Sequence, residues 1–332
     1  MDLFLNHAML ETAIFSIKTA NDFERLALEV FCYQYENTAV YRKFCDFLKV
    51  DATTVKKTEN IPFLPIQFFK SHRVISKKAK EQITFTSSGT TGSFTSKHHV
   101  SNLSLYEKSF LKAFHRIYGT PSEYTILALL PSYIERGGSS LVYMADRLIE
   151  KSNSEHSGFY LNDTKALIEK LKFLESTNQK TILLGVSYAL LDLIEMQKFN
   201  LKNTIVMETG GMKGRRKEMV KEELHGTLKK GFGVEGIHSE YGMTELLSQA
   251  YSIGKGVFCA PPWMKIRTRE TEDALSFVEG KTGGVNVIDL ANLHSCSFIA
   301  TQDLGRVYKD GSFEVLGRFD ESDIRGCNLM VQ

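Results

Sequence analysis

Apolar positions along the chain fall first into helical spacing, then into alternating strand and helix patterns, and finally into strands alone. Within residues 1–50, Phe23, Leu26, Val30 and Phe31 recur on one helical face beside charged neighbours, so the first 60 residues read as largely helical. Pro62 and Pro65 forbid helix across Ile61–Lys70, which predicts an extended segment laying aromatics on the body. Leu103, Tyr106, Phe110, Phe114 and Ile117 predict a helix over Leu103–Tyr118, ended by Gly119. Strands at Tyr124–Leu130, Thr181–Val186 and Thr204–Met207 then alternate with helices at Leu141–Glu150, Leu167–Leu174 (capped by Asn162-Asp163-Thr164) and Tyr188–Met196. That alternation predicts an α/β fold with a largely parallel sheet. The last third holds strand patterns without helices: Val285–Leu290, Phe298–Ala300, Val307–Lys309 and Phe313–Leu316. Asp310-Gly311 reads as a two-residue hairpin turn, and residues from about 255 to 316 as a small antiparallel β subdomain.

Composition narrows the function classes. A net charge of +2 gives no broad nucleic-acid footprint, and no apolar run is long enough to span a bilayer. Five scattered cysteines without a C-x-x-C pair argue for reduced thiols in a cytoplasmic protein, without a disulfide framework or structural zinc. The histidines show no metal-binding spacing; His98 and His99 read as solvated or substrate-facing.

One stretch carries unusual chemistry. Thr86-Ser87-Ser88-Gly89-Thr90-Thr91-Gly92 is small, hydroxylated or glycine throughout, with Lys97 five residues further on. Such a run offers a core nothing, yet its amides and hydroxyls can converge on phosphate oxygens while a lysine adds charge. Taken alone it could be a flexible surface loop. It fails the P-loop NTPase pattern, which needs lysine directly after the second glycine. Gly231-Phe232-Gly233-Val234-Glu235-Gly236 matches a dinucleotide fingerprint only in letters, because a helical pattern precedes it; Gly231 reads as that helix's C-terminal cap. Leu184-Gly185-Val186-Ser187-Tyr188-Ala189 lacks the second glycine of a nucleophile elbow, which places an α/β hydrolase low.

Three later segments accompany the first: Glu240-Tyr241-Gly242-Met243-Thr244-Glu245, Thr301-Gln302-Asp303-Leu304-Gly305, and Leu316-Gly317-Arg318-Phe319-Asp320. Together and in this order they resemble the motifs of the adenylate-forming superfamily, which includes acyl-CoA synthetases and luciferases. That resemblance implies a large N-terminal catalytic domain, here 1–316, which joins a carboxylate to the α-phosphate of ATP with Mg²⁺. It implies that Ser87, Ser88, Gly89, Thr90, Thr91, Gly92 and Lys97 hold the β- and γ-phosphates. Tyr241 would stack on adenine, beside Gly242 and with Gly210-Gly211 close to the base. Thr244 would serve the α-phosphate, Glu245 the Mg²⁺, Asp303 the ribose with Arg318 nearby. Read singly, Thr244-Glu245 is a capped helix start and Asp303 a strand-end turn.

The superfamily normally continues into a mobile C-terminal domain with an adenylation lysine, whereas this sequence ends twelve residues after Asp320. Ile61–Lys70, Leu130–Leu141 and Asp323-Ile324-Arg325-Gly326-Cys327 are similar to the acyl-protein synthetases of bacterial bioluminescence. This implies a long-chain fatty acid as substrate and Cys327, in a tail of residues 317–332, as acyl acceptor. It also implies delivery to a reductase or carrier protein. Arg325 favours a thiolate at Cys327 and Asp323 opposes it. Alternatives are transfer of the acyl group to a separate carrier or coenzyme A, and a nucleotide-binding subunit with little turnover.

Overall fold

The computed structural model describes residues 7–87, 95–131, 137–212, 215–217, 219–273 and 275–319. Helices α1 (His7–Ala13), α2 (Ala20–Asn37) and α3 (Ala39–Phe47) come first. Thr19 starts α2: its hydroxyl accepts from the Asp22 amide while the Asp22 carboxylate accepts from the Thr19 amide, satisfying two open donors. Phe23, Leu26, Val30 and Phe31 are buried, as their spacing predicts. The extended reading of Ile61–Lys70 holds through strand β1 (Leu64–Pro65) and fails at helix α4 (Phe68–Ser71). Between Pro65 and Lys70 no further proline constrains the chain, and one turn, closed by the Phe69 amide on the Ile66 carbonyl, seats Phe69 in the core.

Strands β2 (Ile83–Thr86) and β3 (Lys97–Val100) form an antiparallel stem with Thr86 opposite Lys97. Helix α5 (Leu103–Tyr118) is capped by Asn102 and stops at Gly119, whose φ of 84° suits only glycine well. Ile117 departs from the expected face: it is 38% exposed, because Tyr118 takes the inward place against Phe114 and Tyr251.

There follow β4 (Thr125–Leu129), α6 (Ser140–Ser152), β5 (Gly158–Phe159), α7 (Thr164–Ser176), β6 (Thr181–Val186), α8 (Ser187–Met196), β7 (Thr204–Thr209), α9 (Lys221–Phe232), β8 (His238–Tyr241) and β9 (Ala250–Ser252). The strands form one sheet in the order β5-β4-β6-β7-β8-β9, parallel except for β9. Strands β4 and β6 are buried along their whole length and apolar after their first threonine, as parallel strands covered on both faces must be. Gly231 is not a cap. It lies inside α9, where a Cβ would come within 2.6 Å of Ile194 on α8. The cap is Gly233, with φ 68°.

The second sheet takes β10 (Val257–Phe258), β11 (Met264–Arg269), β12 (Phe277–Val278), β13 (Gly283–Asp289), β14 (Phe298–Val307) and β15 (Phe313–Arg318), in the order β10-β15-β14-β13-β11-β12. All these pairings are antiparallel, and β1 adds a parallel pair on the first half of β14. Thr301–Gly305 therefore lies within one continuous strand. Its apolar pattern is broken by a bulge at Leu304/Gly305, which explains the two shorter strands expected there. The hairpin loop is also longer than two residues. Val307 pairs with Phe313, and the Tyr308 amide donates to the Ser312 carbonyl, with Gly311 at φ 84°. No helix among the described residues is long and apolar enough to cross a membrane.

Candidate active site

The parallel sheet ends its strands at two of the recognised motifs. Strand β7 runs out at Thr209 into Gly210-Gly211, and β8 at Tyr241 into Gly242-Met243-Thr244-Glu245. In-register pairing sets Thr209 beside Glu240, and the Thr209 hydroxyl donates to the Glu240 carboxyl at 2.5 Å. Ligands in open α/β sheets bind outside such carboxyl ends.

The second sheet meets this edge through Asp303. Pairing of β14 with β15 sets Asp303 opposite Arg318, whose Nε lies 3.2 Å from Oδ1. The Tyr241 hydroxyl donates to Oδ2 at 2.9 Å. Burial pushes the Asp303 carboxyl above its usual range, opposed by Arg318, Tyr241 and Arg269. Arg269, on β11, is itself buried. It donates to the Val285 and Thr301 carbonyls and to Asn286 Oδ1, tying the strands beside Asp303. Gly284 makes room for it: a Cβ there would stand 2.6 Å from the guanidinium carbon. The Tyr241 ring is buried, packed on Phe258 and Phe313.

Glu245 is 5% exposed. Burial raises its carboxyl, while the Ser96 hydroxyl and the Arg318 charge work against that. The backbone of its loop is fastened from outside. The His98 Nδ1–H donates to the Thr244 carbonyl at 2.8 Å, and Asn292 Nδ2 to the Glu245 carbonyl at 2.7 Å. Asp289, at the end of β13, accepts from the Leu247 and Ser248 amides and from the Ser248 hydroxyl.

Of the expected site residues, the structure brings Tyr241, Asp303 and Arg318 into one cluster, with Thr244 and Glu245 on the adjoining loop. Gly210, with φ 66°, and Gly211 are exposed beside the same edge. Ser87 closes the β2–β3 stem, where its hydroxyl accepts from the Ser96 amide at 3.0 Å. Lys97 is exposed at the same stem. Ser88, Gly89, Thr90, Thr91, Gly92 and Cys327 lie outside the described residues. Ser187 is no free nucleophile: its hydroxyl donates to Glu208 and to the Gly210 carbonyl.

His98 and His99 are not solvated as expected. His98 is fully buried, and His99 is engaged by Glu81 and Thr84. The alternation of Lys97 outward and His98 inward was the available signal. Asn292 and Asp289 had none, since their roles depend on partners 47 and 41–42 positions away.

Known proteins resemble this chain in sequence and in fold. The family model described as "Acyl-protein synthetase, LuxE" matches residues 12–118. A long-chain-fatty-acid–luciferin-component ligase of Vibrio harveyi is 21% identical over 336 residues, covering 92% of this chain and 86% of that protein. Its namesake from Photorhabdus luminescens is 34% identical over 70 residues, 21% of this chain and 60% of that protein. Among solved structures, an open 2-hydroxyisobutyryl-CoA ligase in complex with 2-HIB-AMP and CoA superposes with a TM-score of 0.64 at 11% identity. That match covers 91% of this chain and 71% of the ligase. ATP-bound MatB from Rhodopseudomonas palustris gives 0.52 at 18% identity over 71% of this chain; the chain spans about half of MatB, 47%. The fold is that of these ligases' large domain.

Proposed function

Taking the chain as an adenylate-forming ligase fold akin to the acyl-protein synthetases, we propose that it activates a long-chain fatty acid with ATP and passes the acyl group to a thiol. A carboxylate oxygen attacks the α-phosphorus, the bond to the bridging oxygen breaks, and pyrophosphate leaves. Two anions must be held together, so positioning and charge compensation carry most of the rate. Asp303 accepts from the ribose hydroxyls, with Arg318 beside it, and Tyr241 and Gly210-Gly211 receive the adenine. Thr244 donates to the α-phosphate, and Ser87–Gly92 with Lys97 hold the outgoing phosphates.

Glu245 suits Mg²⁺. Its carboxylate stands beside Thr244 and within reach of the Asp303 charge, and this ion takes one or two protein carboxylates and completes its shell with phosphate oxygens and water. When bound, the ion would neutralise developing charge on the phosphates.

In the second step the Cys327 thiolate attacks the acyl carbon of the mixed anhydride, forming a thioester and releasing AMP. The body 1–316 would carry adenylation and the tail 317–332 the acceptor, for delivery to a reductase or carrier in the cytoplasm. The observation that carries the reading is the Tyr241–Asp303–Arg318 cluster joined to the Thr244-Glu245 loop. Fatty-acid-dependent exchange of labelled pyrophosphate into ATP tests the first step. Hydroxylamine-sensitive labelling by radioactive fatty acid, lost in Cys327→Ser while exchange persists, tests the second. Persistent thioester labelling in that variant would point to another acceptor.

A further inference from the structure

His98 is an odd occupant of its place. The ring is fully buried, with Phe69 edge-on at a centroid distance of 5.7 Å. Its Nδ1 stands 2.8 Å from the Thr244 carbonyl, so that nitrogen must carry a proton. In the neutral ring, which burial enforces by holding the imidazole down to about 4, Nε2 is then a bare acceptor. Nε2 and Asn292 Oδ1 make no well-formed hydrogen bond, although the Asn292 side chain stands close to the ring and both residues line one small pocket with Leu247 and Ser295. A leucine would fill such a site by packing alone, but it would leave the Thr244 carbonyl without the donor it has here. Packing therefore does not account for a histidine here, but the bond it makes does.

That bond joins two parts of the site. His98 sits on β3 next to Lys97, on the stem whose other strand leads to Ser87. Its acceptor is the carbonyl of Thr244, one residue before Glu245. Asn292 and Asp289 tie this loop from the turn after β13 and from its end, and the Ser96 hydroxyl beside the stem reaches the Glu245 carboxylate. We propose that His98 is a positioning residue for adenylation: its Nδ1–H bond sets the phosphate-side stem against the Thr244-Glu245 loop, so that the triphosphate and the carboxylate of the acid meet in line. The role rests on the adenylation reading above. Small errors in such placement are costly, about 100-fold in rate for roughly 1 Å.

The test compares His98→Leu, which fills the space without a donor, with His98→Asn, whose amide can still donate. His98→Leu should fold and bind ATP within about threefold of wild type by calorimetry, yet lose roughly 30- to 300-fold in pyrophosphate exchange at saturating ATP and acid. His98→Asn should recover about tenfold or more of that loss. The ¹⁵N spectrum of labelled wild-type protein should show His98 as the neutral Nδ1–H tautomer. A leucine variant that keeps its exchange rate, or leucine and asparagine variants that lose rate only in step with thermal stability, would overturn the proposal. So would an active wild type with His98 protonated at Nε2. A wild type with the Nδ1–H tautomer that exchanges no label with any acid would instead overturn the adenylation reading, and this role with it.

Discussion

Two buried carboxyls on neighbouring strands show how single contacts decide charge. Glu208 and Glu240 are 3% and 7% exposed. Burial drives Glu208 upward, yet His225, Lys221 and Ser239 together overcome it and its carboxyl ends below the usual range. Glu240 has the Thr209 hydroxyl and the Lys221 charge to oppose burial, and Glu208 repels it, so it is held at about 7. The sign of the consequence is fixed. A carboxyl whose folded value exceeds its unfolded one binds its proton more tightly when folded, so stability falls as pH rises between the two values. Between about pH 4.5 and 7, wild type should lose more than about 1 kcal/mol relative to Glu240→Gln, with no further divergence above that window. Thermal denaturation across pH checks this, and parallel curves would place the proton elsewhere. Asp303 offers a second test at this scale. Asp303→Ala strips the partner from Tyr241 and Arg318 and should weaken ATP binding by about 1–3 kcal/mol, read by calorimetry. Unchanged affinity would remove Asp303 from the nucleotide site.

Elements meet where small residues let them. At Gly231 the helices α8 and α9 approach so closely that a methyl group would strike the Cβ and Cδ1 of Ile194. Gly231→Ala should therefore destabilise by about 1–3 kcal/mol, although alanine is the better helix former by about 1 kcal/mol. A raised melting temperature would show that the helices can part freely. This position also shows the limit of reading sequence. A glycine near a helix end looks like a cap, and only the partner helix reveals that Gly233 does the capping. The α/β alternation was legible because β4 and β6 bury their apolar runs, and α5 buries Tyr106, Phe110 and Phe114 as spaced even though Ile117 turns outward. The run from Thr301 to Gly305 was not, since Gln302-Asp303 with Gly305 close behind looks like a turn until β13 and β15 pair with this stretch. The resemblance singled out Tyr241, Asp303 and Arg318, and the structure brings these three together. The supports of the site, His98, Asn292, Asp289 and Arg269, were not legible, because each acts through a backbone or strand brought near only by folding.

Across the whole molecule, early and late parts of the chain finish one another. Leu64 pairs with Ile299, on the same strand that carries Asp303. Gln34 donates to the carbonyls of Asn292 and Leu293 and to the Ser297 hydroxyl, and accepts from the Ser297 amide, across 258 to 263 positions. Phe31 and Tyr41 rest on Phe298. The feature with the widest reach is the two-residue strand β1, because it is synthesised long before the strand that receives it. A chain growing on the ribosome carries α2, α3 and β1 for most of its synthesis with their burial surface absent. Contacts of such separation close slowly and leave apolar surface open meanwhile. Nascent chains stalled at residue 280 should thus be cut rapidly within 20–47, and protection should come only once β14 has left the exit tunnel. Protection already present at residue 280 would mean that the N-terminal helices fold without it.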